Sequence, residues 1–396
     1  MQLTKNLKNM NVKKVSKDFG GTKNQKIINI SRSNNELENF YNLFLENSLE
    51  IKQYLNKASE EQKKFWLEFF ETKSFNMNIH PHIMKYVFFN KKDINKIYRY
   101  INFRFFFEQV SLKKTQTDYP PYLLIEPVST CNLRCPFCFQ TDKTFTKKPF
   151  MGTMKLDLYK NIIDQANELG VGAITIASRG EPTLHKDLGE MLKYAKNKEN
   201  IFEVKLNTNA TKLTEDLCYQ IFESEVNQIV ISADHYEKKT FEELRKNSNF
   251  ETIIKNVNML FEIRKKFKNS LTEIRVSGID YYKSTNKNKF YDFWIKSSDE
   301  VTIGDALERW DTYNNKPHPD INDPCEKLWD RMYIWFDGKV NPCDADYKSY
   351  LSYGNVNEFS IKKLWNSKII KNIRNKHLIN QRNEIDPCNK CGQTFV

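Results

Sequence analysis

The sequence predicts an α/β protein: a partial (βα)6 TIM-like barrel with an N-terminal helical extension and a small C-terminal α+β auxiliary domain. Three observations predict it. Six short apolar runs alternate with amphipathic helical stretches between Tyr122 and Ile303. Before them, aromatic residues recur at three- and four-residue spacing; after about residue 310 the alternation stops. Strands separated by helices favour parallel pairing through right-handed crossovers, and six units fall short of the eight that close a barrel.

In chain order, residues 1–35 are polar, rich in Lys and Asn and without sustained periodicity, which predicts a flexible basic tail. Over 36–117, Leu37, Phe40, Tyr41 and Phe44, then Phe65, Trp66, Phe69 and Phe70, mark amphipathic helix. These stripes are expected to pack as core against the next domain; a helical module that docks a substrate or partner is the alternative. Asp118-Tyr-Pro-Pro is a boundary, because paired prolines stop helix and extend the chain. The barrel is expected over 118–310, with strands at 122–127, 173–177, 202–207, 228–232, 272–277 and 300–303. Helices are expected near 155–169, 186–197, 214–224, 250–266 and 288–297. Over 311–396, Asp337-Gly338 between two apolar runs predicts a hairpin, and Ser360–Asn380 reads as helix.

The 396 residues are 39% hydrophobic and 13% aromatic, ample for a sizeable core. No apolar run approaches the roughly 18 residues of a membrane helix, and no secretory signal is visible, so a soluble cytoplasmic protein is expected. The net charge of +12 is uneven, with 21 Lys/Arg against 12 Asp/Glu in the first 120 residues. The lysines are scattered among Asn and Ile rather than gathered with stacking aromatics, which argues against a nucleic-acid partner. A solvated basic surface is expected, with a dock for an acidic electron donor or anionic substrate as the alternative.

Seven of eight cysteines fall into two groups, Cys131/Cys135/Cys138 and Cys325/Cys343/Cys388/Cys391. In a reducing compartment such grouping favours metal ligation over disulfides. Cys131-Asn-Leu-Arg-Cys135-Pro-Phe-Cys138 places three thiols in a loop directly after the first strand. Three thiolates on a cubane [4Fe–4S] cluster leave one iron open to an exogenous chelating ligand. A zinc site completed by a histidine uses the same residues.

This C-x3-C-x2-C loop, with Phe137 before its third cysteine, resembles the motif of the radical S-adenosylmethionine (radical SAM) superfamily. The resemblance continues over residues 120–305. Ser178-Arg-Gly-Glu-Pro-Thr-Leu-His185 resembles the family's Gly-Gly-Glu-Pro segment, with Arg179 in place of the first glycine. The resemblance implies that Glu181 and the Gly180 backbone bind the methionyl amino group. It likewise places Asn207-Thr-Asn209 near the ribose and Ser232 at the methionyl carboxylate. The implied chemistry is reductive cleavage of S-adenosylmethionine to a 5′-deoxyadenosyl radical that abstracts hydrogen from substrate.

The second group combines Cys325-x12-Gly338-x4-Cys343 with the terminal Cys388-Asn-Lys-Cys391. A structural Zn(Cys)4 site would use the same four thiolates. The arrangement resembles the shortened SPASM/twitch auxiliary domain of radical SAM enzymes, which implies one further [4Fe–4S] cluster. Its spacing is similar to that of the 2-deoxy-scyllo-inosamine dehydrogenases. That similarity implies that Arg309 could hold a substrate hydroxyl and Asp346 could assist proton transfer, with an ion pair as the alternative for each.

The leading expectation is a radical oxidoreductase acting on a sugar- or cyclitol-like metabolite, with a flavodoxin or ferredoxin as electron donor. An epimerase would need a hydrogen donor, for which Cys218 is the spare thiol; its place in an expected helix argues for a core residue. A peptide or protein side-chain maturase is the second reading, and a non-catalytic iron–sulfur or zinc scaffold the third. The maturase reading is lowered because residues 36–112 lack the glycine-turned hairpin of a peptide-binding winged helix.

Overall fold

The structure is a computed structural model that describes residues 25–27, 34–306, 310–318 and 321–392. Most of the expected basic tail and Arg309 lie outside the described residues. The described piece of that tail, β1 (Gln25–Ile27), is a strand at the sheet edge.

Five helices follow: α1 (Asn34–Glu46), α2 (Ser48–Leu55), α3 (Glu60–Thr72), α4 (Pro81–Phe89) and α5 (Ile94–Lys113). Ser59 and Gln62 form a capping box at the start of α3, and Asp93 caps α5 by accepting from the Lys96 amide. Their apolar faces close on a shared aromatic core of Phe40, Phe44, Trp66, Phe69 and Phe75. The buried Trp66 indole donates to Asn102 Oδ1 at 2.8 Å, so its one polar atom is satisfied. The same core continues into the barrel through Phe103, Phe107, Tyr122, Ala173 and Phe202. The helical region is therefore packed against the barrel as core.

The barrel strands are β2 (Tyr122–Ile125), β3 (Ala173–Ile176), β4 (Glu203–Thr208), β5 (Gln228–Ser232), β6 (Glu273–Asp280) and β7 (Glu300–Asp305). They pair in parallel in sequence order. The intervening helices are α6 (Leu156–Leu169), α7 (Leu188–Lys196), α8 (Glu215–Glu223), α9 (Lys238–Leu244), α10 (Phe250–Lys266) and α11 (Lys287–Trp294). Alternation divides each strand. Ile174, Leu206, Ile229, Val276 and Ile303 enter the main apolar core, whereas the other face carries Thr175, Lys205, Asn207, Arg275 and Thr302, of which Thr175 and Asn207 line the central cavity. The lumen is consequently polar.

Two features depart from expectation. Helix α9 was not foreseen, because only Phe241 and Leu244 mark its buried face. The stretch 360–380 splits into α13 (Ile361–Trp365) and α14 (Lys368–Leu378), with Ser360 capping the first and Ser367 at the N-cap of the second.

The C-terminal region contributes α12 (Lys327–Asp330), β8 (Met332–Ile334), β9 (Lys339–Asn341) and β10 (Gly354–Asn355). Strands β8 and β9 form the expected hairpin, with Gly338 at φ +82° in its turn. The hairpin does not stand apart: β8 pairs in parallel with β2. One ten-stranded sheet results, in the order β1-β7-β6-β5-β4-β3-β2-β8-β9-β10. It is an open, partial barrel extended at both edges.

Candidate active site

Strands β2 to β5 each deliver a candidate site segment at the C-terminal end. After β2 the chain runs through Glu126 into the cysteine loop. Ser129 anchors that loop by exchanging backbone and hydroxyl hydrogen bonds with Gly152. The Arg134 amide donates to the Lys246 carbonyl at 2.9 Å, and the Gln140 amide donates to both Ser129 O and Arg179 O. Cys131, Cys135 and Cys138 all line a cavity of about 280 Å³, and none is in a disulfide.

The turn after β3 packs directly on this loop. A Cβ at Gly180 would lie 2.2 Å from Val128 O and 2.5 Å from Thr130 O, so only glycine fits. The next amide, Glu181 N, donates to Thr130 O at 3.0 Å. The buried Glu181 carboxylate accepts from Thr183 and Thr208 hydroxyls on one oxygen and from the Asn209 amide, at 2.7 Å, on the other. Burial pushes its pKa up, against these hydrogen bonds. It joins the ends of β3 and β4 and keeps acceptor capacity on the second oxygen.

The two asparagines after β4 differ. Asn207 Oδ1 is buried, lines the cavity and has no hydrogen-bond partner among the described residues. Asn209 is committed: its Oδ1 accepts from Thr211, and its amide donates to Asn132 Oδ1 at 3.1 Å and faces Cys131 Sγ at 3.9 Å. Ser232 lines the cavity at the end of β5. Two residues on, fully buried Asp234 pairs with Arg245 at 2.6 Å, and that guanidinium sits 5.7 Å from the Phe137 ring.

A further part of the cavity lining comes from the C-terminal region, whose β8 pairs with β2. Glu326, Lys327, Asp330, Arg331, Tyr333 and Asp344 line the cavity. Lys327 pairs with Asp344 at 3.0 Å, and Arg331 grips Asp330 at 2.6 and 2.8 Å. Sequence reasoning missed this lining. Its nearest signal was adjacency to Cys325 and Cys343, which place Lys327 and Asp344 beside the second cysteine group.

Asp346 lies elsewhere and does not line the cavity. Its carboxylate accepts from Tyr313 Oη at 2.6 Å, from Asn341 Nδ2, and from the Tyr350 and Leu351 amides. It folds the loop after Cys343. Cys218 is fully buried on α8 and part of the main core, and burial pushes its thiol up to about 12.

The thiols fit iron–sulfur ligation. Burial raises Cys131 to about 11 and Cys343 to about 12, so both would stay protonated without a Lewis acid to stabilise the thiolate. Cys388 interacts electrostatically with Cys325, Cys343 and Cys391, which makes the four mutual neighbours. Among the described residues no three or more Cys, His, Asp or Glu converge on one point as a single ion requires. Beside this group, buried His377 accepts the Cys325 amide on Nδ1 at 3.2 Å.

Fold and site thus define an open partial barrel that carries two groups of free thiols. Comparison with known proteins agrees. The Radical SAM superfamily pattern matches residues 125–278, and an iron–sulfur cluster-binding (SPASM) domain matches 325–392. A GTP 3′,8-cyclase of Limosilactobacillus fermentum is 25% identical over 194 residues, 48% of this chain and 57% of that protein. A tungsten-containing aldehyde ferredoxin oxidoreductase cofactor-modifying protein of Pyrococcus furiosus is 32% identical over 114 residues, 28% of this chain and 30% of that protein. These alignments span little more than half of the relatives' length at most. Streptococcus suis SuiB bound to precursor peptide SuiA shares the fold, with TM-score 0.54 and 16% identity over 87% of this chain and 84% of that one.

Residues 125–278 are thus a radical SAM superfamily domain, and residues 325–392 a SPASM-type iron–sulfur cluster-binding domain. The chain's cofactors are S-adenosylmethionine, a [4Fe–4S] cluster and auxiliary iron–sulfur.

Proposed function

We propose that this enzyme is an oxidoreductase that removes a hydrogen atom from a carbinol carbon of a sugar- or cyclitol-like metabolite. The observation that carries the reading is the charged lining that the C-terminal region adds to the cavity of the cysteine loop. The paired charges Lys327–Asp344 and Asp330–Arg331 face the cavity. Such groups bind hydroxyls and amines well and reject apolar ligands, because buried polar groups left unpaired are costly. Lys327 and Asp344 also lie within two residues of Cys325 and Cys343.

In this reading Cys131, Cys135 and Cys138 hold the SAM-binding cluster, and Cys325, Cys343, Cys388 and Cys391 hold the auxiliary one. Glu181 accepts the methionyl ammonium on its second carboxylate oxygen, beside the Gly180 backbone. Ser232 takes the methionyl carboxylate and Asn207 a ribose hydroxyl; Asn209 fixes the turn and the cysteine loop. The bound cofactors supply a 5′-deoxyadenosyl radical and an electron sink. The alcohol would give its carbinol hydrogen atom to the 5′-deoxyadenosyl radical, then a proton to solvent and one electron to the auxiliary electron sink, leaving a carbonyl beside 5′-deoxyadenosine. The N-terminal helices keep water out from below, with Phe107 reaching the cavity. A flavodoxin or ferredoxin would supply the priming electron in the cytoplasm, where the eight free cysteines stay reduced.

The test is anaerobic reconstitution followed by incubation with dithionite, S-adenosylmethionine and carbinol-deuterated aminocyclitols and hexoses. Deuterium is expected in 5′-deoxyadenosine, with a carbonyl product. Label transfer from peptides instead would replace this reading with the maturase one. Absence of any 5′-deoxyadenosine would leave a scaffold.

A further inference from the structure

Arg179 stands where the family motif has a glycine, and its side chain is not idle. Its Nε and Nη2 donate to the two oxygens of Glu126 at 2.6 Å each, with both side chains essentially sealed from solvent. Its Nη1 donates to the Tyr347 carbonyl at 2.8 Å, and the guanidinium lies 4.2 Å over the Trp335 ring. Trp335 and Tyr347 bracket Cys343, so the side chain is held by the loop of the auxiliary site. The Phe336 amide adds a contact to Glu126 at 3.4 Å, and the Glu126 amide donates to Ile334 O at 2.9 Å.

The backbone of the same residue belongs to the other site. Arg179 O accepts from Gln140, two residues past Cys138. Gly180 and Glu181 follow, pressed against the loop before Cys131. Ser178, which precedes it and lines the cavity, is held at φ +124°, a conformation that costs an L-residue free energy. Such a turn persists only where its surroundings over-determine it. A buried ion pair is a poor way to add stability alone, since apolar residues of similar volume do as well or better.

We propose that Arg179 is a positioning residue through which the Cys343 loop sets the conformation of the turn 178–181, so that the auxiliary site and S-adenosylmethionine binding are thermodynamically coupled. The inference rests on the assignment of that turn to the methionyl ammonium. Coupling of this kind is reciprocal and is measured as non-additivity.

The experiment uses oxidised, cluster-loaded enzyme without reductant, so that nothing turns over, and S-adenosylmethionine as the titrant in calorimetry. Arg179→Gln is expected to weaken binding tenfold or more with iron and sulfide content unchanged, and Arg179→Lys to recover part of the loss. Cys343→Ala, which removes the auxiliary cluster, is expected to weaken binding comparably. Arg179→Gln added to Cys343→Ala should then cost less than a further twofold. Binding by Arg179→Gln within twofold of wild type, or losses that multiply in the double variant, would overturn the coupling. If Arg179→Gln loads poorly, Arg179→Lys carries the same comparison. Failure of the wild type to bind S-adenosylmethionine would sink the site assignment instead.

Discussion

The two cysteine groups are assembled by opposite routes. Cys131, Cys135 and Cys138 lie within eight residues of one loop, anchored at the end of a central strand. Cys325, Cys343 and the pair Cys388/Cys391 come from three segments spread over 67 residues, and only the fold brings them together. A local loop pays little closure entropy to form its site. A dispersed site depends on everything between its ligands, and in return reports on it.

The sharpest way to break the comparison is to remove one ligand from each group. Cys135→Ala should abolish 5′-deoxyadenosine formation, by roughly a thousandfold or more, with loss of about four irons. Cys388→Ala should instead leave measurable S-adenosylmethionine cleavage while substrate oxidation fails. Product analysis beside iron counting separates the two; equal loss of cleavage in both would erase the distinction.

Next in size is the pair between the regions. Glu126→Gln leaves the buried Arg179 guanidinium without its countercharge and should cost about 3–5 kcal/mol in denaturant unfolding. A smaller effect is expected at Asp142, which accepts from Tyr347 Oη at 3.0 Å and pairs with Lys348 at 2.7 Å across the same junction. Although burial works to raise it, hydrogen bonds from Lys348, Thr144 and Tyr347 hold this carboxyl below its ordinary 3.8. The unfolded chain therefore takes the proton first, so the contribution is complete above 3.8 and lost as pH falls below it. Asp142→Asn should lower the thermal midpoint of the apoprotein at pH 7, and the gap to wild type should close on acidification. A gap independent of pH would mean the carboxylate charge is unimportant there.

The smallest effect falls on the cysteine outside both groups. Cys218→Ala should cost about 1 kcal/mol as a small core truncation, with iron content and product distribution unchanged. Altered stereochemistry of the product would instead give that thiol a chemical role.

What could be read from sequence follows the same division. The first loop was legible as a family motif because its spacing is local, and the barrel strands because β-branched runs with turn signals are local too. Two strands, at 203–208 and 273–280, start one residue later than expected and run further. Polar Thr208 and Asp280 conceal their ends, the one bonding Glu181 and the other capping a loop. Arg179 read as a lapse in a glycine motif, since its partners Glu126 and Tyr347 lie 53 and 168 residues away. Asp346 had the right chemical type but spends its lone pairs on its own loop. No pattern within a few residues distinguishes a carboxylate that folds a loop from one that meets a substrate.

The parallel pairing of β8 with β2 limits how this protein can be cut or recombined. A fragment ending after β7 would bare the full edge of β2, a row of open amides ready to template aggregation. It would also strip Glu126 and Arg179 of their contacts beyond Trp335. A chimaera that exchanges the auxiliary region must therefore carry Met332–Ile334 with the barrel, and move the two charged residues as a unit. The seam between catalyst and accessory runs through a strand ladder, and the pieces are not interchangeable parts.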